Sequence, residues 1–171
     1  MHWPQMQRRC PTARFNCVAR LPDYRFAIAR HSRLRNCGTA NIFLQTGCEV
    51  WCVVYDLSDG DLVTLDGFED GYGREKVVVY DRDDPSTRVP ALAGDSRSGF
   101  RPTGVVEGAT GLPVGLHGNR PIETLVYIAA REAGVPLPNP EYKRLLLAGA
   151  RHWRLPPDYC AMLEQIVVAN P

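Results

Sequence analysis

The chain has 171 residues, 44% of them hydrophobic, with 20 Lys+Arg against 19 Asp+Glu and a mean hydropathy of -0.24. A chain of this size buries a sizeable core without disulfides or metal, since domains run to roughly 100–150 residues. The hydrophobic content excludes disorder, collagen and coiled coil, and the net charge of +1 argues against a generic polyanion binder. No apolar run approaches the roughly 18 residues that span a bilayer, and residues 1–11 have no apolar centre of the signal-peptide kind. A single cytoplasmic domain over residues 1–171, with no membrane or nucleic-acid partner, is the expectation.

The even balance hides an asymmetry. Through residue 36 there are eight arginines against one acid, Asp23, whereas residues 49–84 hold eleven acids against Arg74, Lys76 and Arg82. This is either an anion-binding face near the start or two solvated faces that attract each other across the fold. The arginines are spread through strand-like text, which favours the second.

Pro4 suits the first turn of a short helix carrying Met6, Arg8 and Arg9. Residues 17–31 read as one long strand or two hairpinned strands, with Pro22-Asp23 as a turn or bulge and Asn36-Cys37-Gly38 as a loop or bulge. Residues 40–44 and 49–57 are the next strands, and the run from Val50 to Tyr55 has the apolar character of a strand buried on both faces. Ser58 then caps a helix over residues 58–69. Asp59 and Asp61 lie in its first turn, Leu62, Leu65 and Phe68 recur at helical spacing, and Gly71 stops it. Residues 75–82 form another strand.

Residues 83–121 break this rhythm with frequent glycine and proline, and read as a long irregular loop. A strand over 122–130 follows, then a helix with Asn139 as cap and Pro140 at its first position running to about Trp153, and a second from Pro156 to about Val168. Five or six strands with three helices beyond the short opening one, in no alternating order, make an α+β fold on an antiparallel or mixed sheet or barrel.

The six cysteines form no Cys-x-x-Cys pair, and no His follows Cys48 and Cys52 at metal-ligand spacing, so they read as reduced, mostly buried thiols. No phosphate loop, Gly-x-Ser-x-Gly elbow or His-Glu-x-x-His helix is present. His2, His31, His117 and His152 are scattered. The informative acid is Glu69. It lies at the C-terminal end of the predicted helix beside Asp66 and Asp70, where the dipole and like charge raise a carboxyl pKa, as partial burial by Leu65 and Phe68 would. Such a carboxyl serves as a proton shuttle near neutral pH. From spacing alone, a solvated acid on an acidic helix remains the alternative.

Arg9-Cys10-Pro11, Val18-Ala19-Arg20-Leu21, Gly38-Thr39-Ala40-Asn41-Ile42, Glu49-Val50-Trp51-Cys52-Val53-Val54-Tyr55 and Leu65-Asp66-Gly67-Phe68-Glu69 appear in one order. In that order and approximate spacing the sequence resembles the γ-glutamylcyclotransferase family. Tyr127-Ile128-Ala129, then Pro138-Asn139-Pro140-Glu141-Tyr142-Lys143-Arg144 and residues 149–155, resemble that family's C-terminal strand and helices. The resemblance implies a small mixed β-barrel with flanking helices, and a cofactor-free, metal-free enzyme that releases 5-oxoproline from a small-molecule γ-glutamyl substrate.

By that resemblance Glu69 matches the family's acid/base glutamate. The substrate's own α-amine attacks its γ-carbonyl, so the nucleophile is tethered at high effective molarity and no enzyme nucleophile is required. Tyr72 matches the aromatic that follows the glutamate, here only three residues on. Tyr142 is a phenol at the pocket or a helix anchor, and Tyr127 is a pocket residue or a core one. The family opens with a strand ending in Tyr-Gly-Ser-Asn, whose backbone donors hold the γ-glutamyl head. The chain begins at Met1, where that motif should have ended, so the expectation is a domain lacking it. Cys52 in place of the commoner Gly and the longer 83–121 loop are further departures. An inactive barrel binding a small acidic ligand or a protein is the competing reading. An RNA or anion binder is a third, and no aromatic-interleaved basic motif supports it.

Overall fold

The computed structural model describes residues 2–69, 71–82 and 120–170. Nearly all of the 83–121 loop, together with Asp70, lies outside the described residues. The elements run α1 (Trp3–Arg9), β1 (Arg14–Ser32), β2 (Cys37–Asp56), α2 (Asp59–Asp66), β3 (Gly73–Asp81), β4 (Pro121–Ile128), α3 (Pro140–His152) and α4 (Pro157–Glu164).

The four strands form one sheet in the order β2-β1-β3-β4, and every pairing among the described residues is antiparallel. The α+β class therefore holds on the antiparallel rather than the mixed alternative. The sheet curls until its outer strands meet: the Asn41 amide on β2 donates to the Ala129 carbonyl at 2.7 Å and accepts from the Ala129 N–H at 3.2 Å. Asn41 is 3% exposed. One side chain thus supplies both hydrogen bonds of a ladder step where the sheet rolls into a barrel.

Among the described residues the strands are fewer and longer than the five or six expected. Residues 17–31 belong to one strand, with the Pro22-Asp23 signal realised as a bulge: Pro22 pairs with Glu49 and Tyr24 with Leu44, so β2 residues 45–48 lie opposite Asp23 alone. Asp23 and Gly47 both take positive φ, and the Asp23 carboxylate accepts from the Gly47 N–H at 2.9 Å. The gap between the two expected strands 40–44 and 49–57 is therefore a protrusion within β2, bridged by continuous pairing on either side. The Val50–Tyr55 run is only half as dry as its composition implies. Val50 and Val54 are buried, while Trp51, Cys52, Val53 and Tyr55 are half-buried.

Cys17, Val18, Ala19, Leu21, Val77 and Val79 from the sheet pack against Ala150, Trp153, Leu155, Tyr159 and Leu163 from α3, α4 and the turn between them. Trp153 is the hub of an aromatic cluster, stacked on Phe15 at 4.4 Å and edge-on to Trp3 and Tyr55 at 5.7 and 6.0 Å. Trp3 in turn stacks on Tyr55 at 5.7 Å, which seats the N-terminal end of the seven-residue α1. α4 ends at Glu164, short of the expected Val168. All six cysteines are free thiols; burial raises Cys17 and Cys52 to about 12, so both stay protonated.

Candidate active site

α2 begins as its sequence requires: the Ser58 hydroxyl accepts from the Asp61 N–H at 3.2 Å, which satisfies one orphan donor of the first turn. It ends earlier than the spacing predicts. The last helical residue is Asp66, with Gly67 as cap, so Glu69 sits in the turn that follows and not on the helix. That turn is closed by the Tyr72 N–H donating to the Glu69 carbonyl at 2.9 Å and by Gly71 at φ 75°. It is this φ that favours glycine at position 71, since the nearest obstacle to a Cβ is the tip of the flexible Arg30 side chain.

The Glu69 side chain is 25% exposed, and Oε1 lies 3.4 Å from Nη1 of Arg9, the last residue of α1. Burial raises the Glu69 pKa, and the Arg9 charge opposes that rise. Burial, rather than a place on the helix itself, is the leading cause, since Glu69 lies beyond the last helical residue. The Arg9 guanidinium also lies over the Phe68 ring, 4.6 Å from its centroid.

Tyr72 and Tyr142 meet at one peptide unit. The Tyr72 hydroxyl donates to the Ala40 carbonyl at 2.7 Å, and the Ala40 N–H donates to the Tyr142 hydroxyl at 2.9 Å. Burial pushes Tyr142 up to about 12 although the Ala40 N–H favours its phenolate, and burial raises Tyr72 too. Tyr142 is placed by the cap of α3, where the Asn139 side chain accepts from the Tyr142 N–H at 2.8 Å. Its ring carries the Arg35 guanidinium at 5.4 Å. Tyr127 stands apart from this pair: its hydroxyl donates to Asp66 at 2.7 Å, and Arg74 holds the other Asp66 oxygen at 2.8 Å.

Beside Glu69 opens a cleft of about 490 Å³ lined by Gln5, Arg8, Arg9, Leu34, Arg35 and Phe68, with Asn139 and Glu141 at the α3 cap. Three arginines from the basic first segment converge there. The arginine asymmetry is thus partly an anion-attracting surface and partly attraction across the fold, since Arg9–Glu69, Arg20–Glu49 and Arg30–Glu132 all join the first 36 residues to acids further on. Spacing gave no sign that Arg8, Arg9 and Arg35 would meet, because α1 and the 33–36 turn are brought together only by the fold.

The sequence and the fold are similar to those of known proteins. γ-Glutamylcyclotransferase from Homo sapiens is 26% identical over 162 residues, 92% of this chain and 69% of its own length, and the Mus musculus protein is 25% identical over the same shares. A solved γ-glutamyl cyclotransferase superposes with a TM-score of 0.73 at 24% identity, covering 99% of this chain and 83% of that one. The chain is thus similar in sequence to γ-glutamylcyclotransferases over most of its length and has the fold of a solved γ-glutamyl cyclotransferase. An uncharacterized human protein has the same fold, with a TM-score of 0.70 at 24% identity over 97% of this chain and 82% of its own. No family model matches the chain.

Geometry places Glu69 and its ion-pair partner beside the cleft that Arg9 and Phe68 line. It also directs attention to Arg9, the carboxylate's partner, which motif spacing passed over. A basic residue closing a short helix just before a Cys-Pro was the available signal. Among the described residues no group of three metal-ligating side chains occurs, and no helix is long and apolar enough to cross a membrane.

Proposed function

We propose that the chain is a cytoplasmic γ-glutamylcyclotransferase-type enzyme that cyclises a γ-glutamyl compound to 5-oxoproline and releases a free amine or amino acid. The observation that carries this reading is Glu69: a half-buried carboxylate, matched by resemblance to the family's acid/base glutamate, tethered by one oxygen to Arg9 beside a cleft with two further arginines.

In this reading the ionised Glu69 takes a proton from the substrate α-ammonium. The freed amine attacks the γ-carbonyl within the same molecule, Glu69 returns its proton to the departing nitrogen as the γ C–N bond breaks, and the second proton of the ring nitrogen leaves to the released amine or to water. One carboxyl serves both transfers, and burial, by raising its pKa, brings it closer to the working pH. Arg8 and Arg35 favour an anionic substrate in the cleft. Because the Tyr142 hydroxyl already accepts from Ala40, its own proton is left to donate, which suits the developing oxyanion. Tyr72, whose proton is committed to the Ala40 carbonyl, is left to accept, which suits an ammonium. Tyr127, committed to Asp66, supports the turn that carries Glu69.

The test is 5-oxoproline release from a panel of γ-glutamyl amino acids and amines. The Glu69→Gln variant should keep its fold and lose about 10²–10⁴ in rate, the usual worth of a positioned acid/base. Activity that survives this substitution would sink the assignment. Ligand-induced thermal stabilisation with no turnover in the unmutated chain would instead favour the reading as a binding barrel.

A further inference from the structure

Glu69 lies in a turn, and its own segment does nothing to orient its carboxylate. Among the described residues the only hydrogen-bond partner of that side chain is Arg9, at Oε1, and Oε2 has none. Arg9 comes from α1, and its place there is fixed independently of Glu69. The Cys10 N–H closes the end of α1 on the Met6 carbonyl at 2.8 Å, and the Cys10 thiol reaches the Asp61 carbonyl at 3.5 Å. Thr12 hydrogen-bonds Ser58 at 3.0 Å and also reaches the Asp61 carboxylate, which ties the α1–β1 link to the start of α2. The guanidinium itself rests on the Phe68 ring.

Resting on the cyclotransferase reading of Glu69, we propose that Arg9 is the positioning residue for this acid: anchored by α1 and by Phe68, it holds Oε1 and leaves Oε2 as the oxygen that exchanges the proton. A planar fork lying on an aromatic ring while gripping a carboxylate is a geometry that lysine does not reproduce. The Arg9 charge keeps Glu69 ionised in the resting site, ready to receive the ammonium proton, and after that transfer it favours return of the proton to the leaving amine. The chain's amino-terminal charge also opposes the rise, less than Arg9 does; the other titratable groups coupled to Glu69 are Tyr72 in the following segment and Tyr127 on β4, and burial raises both, so they stay neutral. Arg9 is therefore the cation with the largest influence on the acid.

Two measurements on Arg9→Met and Arg9→Lys test this, with Arg151→Met, an exposed ion-pair partner of Glu164, as a remote charge control. The first is the titration of the Glu69 carboxyl carbon by NMR, assigned by its absence in Glu69→Gln. Its midpoint should move upward in Arg9→Met and stay near the original in Arg9→Lys and Arg151→Met. An unchanged midpoint in folded Arg9→Met would overturn the proposal whether or not the protein is active. The second is kcat against pH. Arg9→Met should lose up to about 10²-fold, the cost of displacing a reacting group by about 1 Å, with little change in KM, and its acidic limb should follow the NMR midpoint. Arg9→Lys should keep the limb while losing part of kcat. Full kcat in Arg9→Met would refute positioning. An inactive wild type with the NMR shift present would leave the Arg9–Glu69 coupling standing and remove the cyclotransferase reading instead.

Discussion

The two ends of α1 lie in opposite surroundings. At one end Trp3 enters the aromatic cluster with Tyr55, Phe15 and Trp153, where rings stack at 4.4–6.0 Å and Trp153 is 4% exposed. At the other end, six residues on, Arg9 pairs with a half-buried carboxylate at the rim of an open cleft. One short helix thus carries an apolar anchor and a charged working group. The anchor draws on area burial and ring contact, which are indifferent to pH and salt. The working end leaves a charge partly desolvated, which costs stability and supplies chemistry. Seven residues do not make a stable helix alone, so the aromatic end is what allows the charged end to have a fixed geometry.

Breaking the anchor should have the largest effect. Trp153→Ala removes the hub of the cluster and should cost about 3–5 kcal/mol, read by denaturant or thermal unfolding. If activity per folded molecule then also falls, the two ends are coupled through α1; if it is unchanged, Arg9 is held by the Cys10 and Thr12 contacts alone. Next in size is Asn41→Ala, which strands the buried N–H and carbonyl of Ala129 where the barrel closes. Each orphan is worth about 1–3 kcal/mol, and amide exchange at Ala129 should accelerate more than exchange within β1.

The smallest effect, and the most diagnostic, is on the stability of Glu69→Gln. Burial makes the folded state bind the Glu69 proton more tightly than the unfolded chain does. The folded state is therefore not penalised below the unfolded carboxylate pKa, and stability falls as pH rises through the higher folded value. Gln mimics the protonated form. The variant should melt slightly above the wild type at neutral pH, with the gap closing on acidification. A lower melting point at neutral pH would mean that the ion pair to Arg9 outweighs the burial of the charge.

Local signals suffice where the deciding physics is local. Ser58 and Asn139 cap the helices they were expected to cap, through their own hydroxyl and amide oxygens. Pro4 opens α1, and Pro22-Asp23 marks the bulge. α2 is shorter than its spacing predicts, because Leu65 and Phe68 keep helical spacing past the point where the chain leaves the helix. Phe68 is 50% exposed and lines the cleft with Arg9 instead of entering the core, so the apolar periodicity that seemed to extend the helix belongs to the site. Residues 45–48 have the local pattern of a turn between 40–44 and 49–57; only pairing with β1 shows them to be a bulge in one strand.

By itself the sequence determined the α+β class, the capped helices, the family likeness and the acid within Leu65-Asp66-Gly67-Phe68-Glu69, because these rest on short-range spacing and on the order of motifs along the chain. Tertiary structure alone decided what surrounds that acid. The 60-residue separation between Arg9 and Glu69, the sharing of the Ala40 peptide by Tyr72 and Tyr142, and the withdrawal of Tyr127 to Asp66 all depend on how a curled sheet and four helices bring distant segments together. A carboxyl group's desolvation and its nearest cation are properties of that assembled space, which no local pattern encodes.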